Sequence, residues 1–110
     1  MILITGSIGA KPDTFNELFE ISLEHVARSR KEKGCRLHSV HVDAENGLRL
    51  VFLEHWDDRA SVLAHFAQPE CKAFVARARE LAAEPPEIRL FSGEEMPLHE
   101  FTETRSDTPE

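Results

Sequence analysis

The chain has 110 residues, with 13 lysines and arginines against 20 acidic residues and a formal net charge of −7. This length corresponds to one domain, and 41% hydrophobic with 30% charged residues is typical of a globular protein rather than a disordered one. The acidic balance, without a cluster of basic and aromatic residues, argues against nucleic acid as a partner.

The N-terminal part predicts a strand, a helix and a second strand. Residues 2–9 are β-branched and apolar and predict the first strand. Asp13 is placed to cap a helix that runs to about residue 33, because apolar side chains then recur every three or four positions. Gly34 supplies the left-handed residue that commonly follows a helix. Residues 35–43 predict the second strand.

The middle of the chain predicts a hairpin. Asn46-Gly47 favours a tight type I′ turn, and residues 48–56 after it alternate between two faces. One face carries Leu48, Leu50, Phe52, Glu54 and Trp56, and the other carries Arg49, Val51, Leu53 and His55. Because the second face is partly apolar too, we expect both sides of this strand to be covered, the second by a sheet from another copy.

Two helices and a strand follow. Asp57-Asp58 can cap a short helix over 59–66, Pro85-Pro86 ends a helix over 70–83, and residues 87–91 predict a last strand. The order predicts an α+β fold of the ferredoxin-like βαββαβ type, a four-stranded antiparallel sheet with helices on one face.

The chain divides into a domain over 1–92 and an acidic C-terminal tail or arm over 93–110. Six of the acidic residues lie in this tail, whose only large apolar residues are Met96, Leu98 and Phe101. The longest aliphatic or aromatic run, residues 50–53, is far shorter than the roughly 20 residues of a membrane span. The apolar N-terminus lacks a basic stretch and a cleavage site. We therefore expect a cytoplasmic protein without a membrane partner.

The histidines are the main candidates for chemistry, since no phosphate-binding glycine loop, serine elbow or zinc-binding helix motif is present. His38 and His41 point to opposite faces of a strand, so we expect no metal site. His25 lies beside the apolar stripe of the first helix, and His65 lies at the end of the short helix. Each is either a base in a pocket or a structural residue.

Glu54 and Trp56 share a strand face, and the pair has two interpretations. They either line a pocket as a carboxylate and an aromatic wall, or they are a core tryptophan and an anchoring carboxylate. The two cysteines, Cys35 and Cys71, are most simply small apolar residues, although the sequence leaves a disulfide open.

Several of these segments together resemble the antibiotic biosynthesis monooxygenase (ABM) family, and within it the quinol monooxygenase-like group. The resemblance covers about residues 2–92. It rests on Gly34-Cys35, the Glu-His-Trp-Asp-Asp run at 54–58, Ala64-His65-Phe66 and Lys72-Ala73-Phe74. It implies a homodimeric α/β barrel in which two ferredoxin-like sheets pack face to face.

The resemblance also implies a monooxygenase that oxidises a small phenolic or quinol substrate with O2 and needs no cofactor. His65, Trp56 and Glu54 are the matching positions. Many relatives have a tyrosine where this chain has His38, and the chain has no tyrosine at all. We therefore predict that the catalytic residues are His65, His38 and Glu54, and that the substrate-binding residues are Trp56, His25, Phe66 and Phe52.

Other functions remain open at this point. The haem-degrading branch of the family has an asparagine on the first strand and a tryptophan where this chain has Phe66, so haem degradation is not expected. The same pocket could instead catalyse proton transfer, as an isomerase of a small hydroxy-carbonyl metabolite. The chain could also be a dimeric ligand-binding module without catalysis.

Overall fold

Eight helices and strands succeed one another in the part of the chain that the structure, a computed structural model, describes, residues 1–102. They are β1 (Ile2–Gly9), α1 (Phe15–Ser29), β2 (Cys35–Asp43), β3 (Asn46–Trp56), α2 (Arg59–Ala67), α3 (Pro69–Leu81), β4 (Glu87–Ser92) and α4 (His99–Thr102). The end of the predicted tail, residues 103–110, lies outside the described residues.

The four strands form one antiparallel sheet in the order β2-β3-β1-β4. β3 lies at its centre, where Glu54 pairs with Ile4 of β1 on one side and with His38 of β2 on the other. This order, with its two crossovers through helices, is the ferredoxin-like arrangement. The prediction of an α+β fold of this type is confirmed.

The sheet has one covered face and one open face within residues 1–102. Along β3, Leu50, Phe52, Glu54 and Trp56 are buried, whereas the intervening residues are only partly buried. The buried side chains pack against α1, α2 and α3. One core cluster joins Leu50 and Phe52 to residues of α1 and α3, and a second joins Ile4 and Trp56 to Val62 of α2. The helices thus enclose only the face that carries Glu54.

The hairpin turn differs from the prediction. Asn46 and Gly47 begin β3, and the turn residues are Ala44 and Glu45. Asp43 Oδ1 accepts a hydrogen bond from the Glu45 amide at 2.9 Å, which bends the chain at this earlier point. Gly47 does not adopt the positive φ that a type I′ turn requires. The predicted position of the turn was therefore wrong by two residues.

The boundaries of α1 also differ from the prediction. Thr14, not Asp13, is the N-cap, and its hydroxyl donates to the Leu81 carbonyl at 2.7 Å instead of capping the helix. The helix ends at Ser29, and turns connect it to Gly34. Gly34 does adopt a positive φ of 85°, and a Cβ there would lie 2.0 Å from Ser61 Oγ. Close approach to α2 therefore requires glycine at this position.

The remaining elements follow the predictions closely. Asp58 caps α2 by accepting from the Ser61 amide at 2.9 Å. α3 ends at Leu81, before the two prolines.

Cys35 and Cys71 are free thiols. After β4, the side chains of Met96, Leu98 and Phe101 are exposed. None of the helices in residues 1–102 is long and apolar enough to cross a membrane.

Candidate active site

A cavity of about 140 Å³ lies between the covered face of the sheet and α3. Three phenylalanines, Phe52, Phe66 and Phe74, form much of its wall, together with aliphatic residues of α3 and β4. Four buried ionisable residues line it, His25, Glu54, His65 and Cys71, together with the exposed Arg79 and Glu87. Cavities of about 150 Å³ with apolar walls accommodate a benzene-sized molecule. The site therefore combines a mostly apolar space with a few buried polar groups.

Glu54 is the centre of the polar groups. It is only 6% exposed, and its Oε1 accepts a hydrogen bond from Trp56 Nε1 at 2.8 Å. Burial alone would raise the pKa of Glu54, but the neighbouring His38, Trp56 and His65 lower it by more, so the pKa lies below its ordinary value. Glu54 is thus a carboxylate at neutral pH despite its burial.

His65 is oriented by a second carboxylate. Its Nδ1 lies 2.9 Å from Oε1 of Glu32, a residue in the turns after α1. Because a carboxylate only accepts, Nδ1 carries the hydrogen, and the lone pair of neutral His65 is on Nε2. This Nε2 lies 4.0 Å from Glu54 Oε1 and 3.8 Å from Cys71 Sγ. Burial raises the pKa of Cys71 to about 11, so Cys71 remains a thiol.

The other two histidines lie against His65. The ring centroids of His25, His38 and His65 are separated by 5.3 to 5.5 Å. His25 stacks on Phe74 with centroids 4.1 Å apart. Burial, followed by the charges of His38, His65 and Arg28, lowers the pKa of His25 to about 3. His25 is therefore neutral and forms part of the cavity wall.

His38 is fully buried, but its ring nitrogens are not well hydrogen-bonded. Its Nε2 is 3.3 Å from Glu54 Oε1 without the alignment of a hydrogen bond. Among the described residues, neither of its ring nitrogens has a hydrogen-bond partner. Buried polar groups without partners are rare and costly. His38 therefore lacks the hydrogen bond that a buried imidazole ordinarily makes.

The site has the groups needed for proton transfer beside a mostly apolar cavity. An imidazole whose Nδ1 faces an orienting carboxylate is the usual arrangement of a general base, and Nε2 of His65 accepts only a weak hydrogen bond, from the Cys71 thiol at 3.8 Å. Two sets of three buried side chains also have potential ligand atoms within 4.8 Å of one another and could hold a metal ion. These sets are His38, Glu54 and His65, and His25, His65 and Cys71.

Comparison with known proteins identifies the family. The model of the family described as "Antibiotic biosynthesis monooxygenase" matches residues 1–77. The chain belongs to the ABM family.

Relatives of this ABM protein include proteins from several bacteria. It is 33% identical over 90 residues to the uncharacterized protein sll1783 of Synechocystis, a match that covers 82% of this chain and 61% of that protein. The chain thus spans less than two thirds of this relative. It is 27% identical over 88 residues to a candidate monooxygenase, YcnE of Bacillus subtilis, covering 80% of this chain and 93% of YcnE.

Solved structures share the same fold. A candidate antibiotic biosynthesis monooxygenase of Deinococcus radiodurans superimposes with a TM-score of 0.83 and 22% identity, covering 87% of this chain and 95% of that chain. Rv0793 of Mycobacterium tuberculosis gives a TM-score of 0.80 at 21% identity, with coverages of 86% and 96%.

The predicted site residues of this ABM protein fall into two layers. His25, Phe52, Glu54, His65 and Phe66 line the cavity. Trp56 and His38 lie behind that wall, where Trp56 is fully buried and contacts His65 with ring centroids 4.6 Å apart. All seven side chains therefore lie in one region, although two of them are not at the cavity surface.

Sequence reasoning missed three residues of this region. Glu32 lies within the predicted first helix, and nothing in the sequence connects it to His65. Cys71 is predicted as a small apolar residue and Phe74 lies in the helix predicted over 70–83, and both line the cavity in the structure. Helical spacing predicts which face is buried, but it does not distinguish a filled core from a cavity wall.

Proposed function

We propose that this protein is a cofactor-independent monooxygenase that oxidises a small quinol-like or phenolic substrate with O2, and that His65 is its catalytic base. The observation that carries the proposal is the orientation of His65. Glu32 holds the Nδ1 hydrogen, and His65 lines a mostly apolar cavity. A base oriented in this way can take a proton from a phenolic hydroxyl.

The volume and the aromatic walls of the cavity favour a substrate with one aromatic ring. Its volume of about 140 Å³ is close to that of cavities that accommodate benzene. Phe52, Phe66 and Phe74 provide aromatic walls, and aromatic rings pack favourably against one another in offset or edge-to-face arrangements. We therefore propose monocyclic phenols and hydroquinones as the substrate class.

The reaction of a phenol proceeds in balanced steps. His65 Nε2 takes the hydroxyl proton, and the resulting phenolate gives one electron to O2, forming a phenoxyl radical and superoxide. The two radicals combine at a ring carbon, and the imidazolium of His65 protonates the new peroxide. Loss of the hydrogen from that carbon as a proton and cleavage of the O–O bond then give a quinone and water. One O2 is consumed for each quinone formed.

Glu54 acts on the protonated state of His65. Its carboxylate lies 4.0 Å from His65 Nε2 in a buried environment, where opposite charges attract more strongly than in water. It therefore stabilises the imidazolium that forms after proton transfer. Trp56 holds this carboxylate in place through its 2.8 Å hydrogen bond. His38 and Trp56 are thus supporting residues, and His25 and Phe66 contact the substrate.

The proposal includes a homodimer formed through the open face of the sheet. Val51 and Leu53 of β3 lie on this face and are only partly buried, and no layer within residues 1–102 covers them. A second copy packed sheet to sheet would cover the apolar residues of both chains, as the family resemblance implies.

The experiment is an O2-consumption assay with purified protein, a chelator and a panel of monocyclic phenols and hydroquinones. Wild type is expected to consume O2 and form quinone in equal amounts. His65→Ala is expected to lower kcat by about 100-fold or more, as for loss of a general base. Glu32→Gln is expected to lower kcat by about tenfold or more with little change in KM, because the tautomer of His65 is no longer fixed.

The control for Glu32→Gln is Glu20→Gln, an exposed glutamate of α1. It is expected to keep wild-type activity. Turnover that continues under nitrogen would overturn the monooxygenase proposal in favour of an isomerase. Substrate binding without turnover, unchanged in His65→Ala, would indicate a ligand-binding module instead.

A further inference from the structure

We propose that His38, Glu54 and His65 form a binding site for a divalent cation of the zinc type. All three side chains are buried, and their potential ligand atoms lie within 4.8 Å of one another. Two imidazoles and a carboxylate are ligands that Zn²⁺ accepts readily.

The three ligands come from three different elements. The register of the sheet pairs His38 of β2 with Glu54 of β3, and α2 brings His65 over them. The sequence prediction of no metal site considered His38 with His41, which lie on opposite faces of β2. The three residues of this site lie on two strands and a helix, so the spacing of residues along one strand does not predict it.

The distances are close to those of a metal site. Ligand atoms bonded to tetrahedral Zn²⁺ at about 2.1 Å lie about 3.4 Å apart. His38 Nε2 and Glu54 Oε1 are already 3.3 Å apart, and His65 Nε2 is 4.0 Å from the same oxygen. The second distance would have to shorten by about 0.6 Å for one ion to bind both atoms. Because Glu54 and His65 line the cavity, a water molecule can occupy the fourth position.

Two independent observations point to a bound cation. The first is His38, whose ring nitrogens are both buried and lack hydrogen-bond partners among the described residues. A metal bond to Nε2 would satisfy one of them. The second is the hydrogen bond from His65 Nδ1 to Glu32, at 2.9 Å. Metal-binding histidines almost always donate their other ring N–H to a carboxylate, a carbonyl or water.

The site has a consequence for activity, and this consequence alone rests on the proposed function. A cation on Nε2 of His65 occupies the lone pair that accepts the phenolic proton. Zn²⁺ is therefore expected to inhibit the oxygenase reversibly, and a chelator is expected to restore it. Binding itself does not depend on the reaction and can be measured without substrate.

The binding experiment uses Zn²⁺ in competition with a chromogenic chelator, on the full chain. Wild type is expected to bind one Zn²⁺ per chain. His38→Ala is expected to lower the affinity by about tenfold or more, and Glu32→Gln, which acts through His65, by about 10- to 100-fold. His41→Ala is the matched control, because His41 lies on the same strand and is exposed. It is expected to bind as wild type does.

A second measurement needs no variant. Trp56 is the only tryptophan, and its Nε1 lies 2.8 Å from Glu54 Oε1. Co²⁺ in place of Zn²⁺ is expected to quench its fluorescence saturably at one equivalent, and a chelator is expected to reverse the change. The proposal is wrong if Trp56 fluorescence does not respond, or if His38→Ala binds Zn²⁺ as tightly as wild type.

Discussion

Acid should destabilise this protein through His25, and the size of the effect follows from its burial. His25 faces His38 of β2, His65 of α2 and Arg28 of its own helix, and it stacks on Phe74. Its pKa falls from 6.5 to about 3 in the folded protein. Between these two values the unfolded chain binds a proton at His25 and the folded chain does not. The free energy of unfolding therefore decreases as the pH falls from about 6.5 towards 3.

The magnitude can be worked out from the two pKa values. Linkage over this interval gives a loss of about 2 kcal/mol between pH 7 and pH 5, and of about 5 kcal/mol once the pH is below 3. The pKa of Glu54 is below its ordinary 4.5, so its stabilising contribution is present above pH 4.5 and is lost only at lower pH. Between pH 7 and pH 5, the contribution of His25 to the free energy of unfolding therefore changes while that of Glu54 does not.

The assay is urea unfolding at pH 7 and pH 5, with chelator present and at one protein concentration, since a dimer's stability depends on concentration. His25→Phe keeps an aromatic ring against Phe74 but removes the titrating group. Its loss of stability between the two pH values is expected to be about 2 kcal/mol smaller than that of wild type.

The control is His99→Phe, at an exposed position of α4. It is expected to show the pH dependence of wild type. The reasoning would be refuted if His25→Phe lost as much stability at pH 5 as wild type does, because His25 would then not be a buried neutral group.

Two further substitutions test the fold and the assembly. Gly34→Ala is expected to lower the free energy of unfolding by about 2 kcal/mol or more, since φ is 85° and the new Cβ would lie 2.0 Å from Ser61 Oγ. Gly47→Ala, with no atom within 4 Å of the new Cβ, is expected to change it by less than about 0.5 kcal/mol in the same urea titration. Leu53→Lys is expected to convert the proposed dimer to a 12.5 kDa monomer in light scattering, and a wild-type particle of that mass at micromolar concentration would contradict the dimer.

The sequence predicted the sheet well because the signals were local. Alternation along β3 identified both faces correctly, and Gly34 has the expected positive φ, although it lies five residues after the end of α1 and does not cap that helix. The predicted position of the turn was wrong because the side chains of Asp43 and Asn46 accept hydrogen bonds from nearby backbone amides. Asp43 accepts from the Glu45 amide, and Asn46 accepts from the Leu48 amide instead of taking part in the turn.

This error affects the site. A two-residue turn at Asn46-Gly47 would have placed His38 opposite His55, whereas the true turn and the irregularity between Val42 and Asp43 place it opposite Glu54. A slip of one residue moves every side chain of a strand to the other face. The His38–Glu54 contact therefore could not be derived from the predicted hairpin.

The contact between Glu32 and His65 could not be predicted for a different reason. The two residues are 33 positions apart, and they meet only because α1 ends at Ser29 and the turns after it approach α2. A longer helix, as predicted, would have directed Glu32 elsewhere. Long-range contacts of this kind depend on tertiary packing rather than on local pattern.

The most direct test of the proposed function is the stoichiometry of O2 consumption by chelator-treated protein with a monocyclic phenol. We expect one O2 consumed for each quinone formed, and a fall in kcat of about 100-fold or more in His65→Ala. Equal rates in wild type and His65→Ala, or conversion of the substrate in the absence of O2, would contradict the proposal that His65 starts an oxygenation in this cavity.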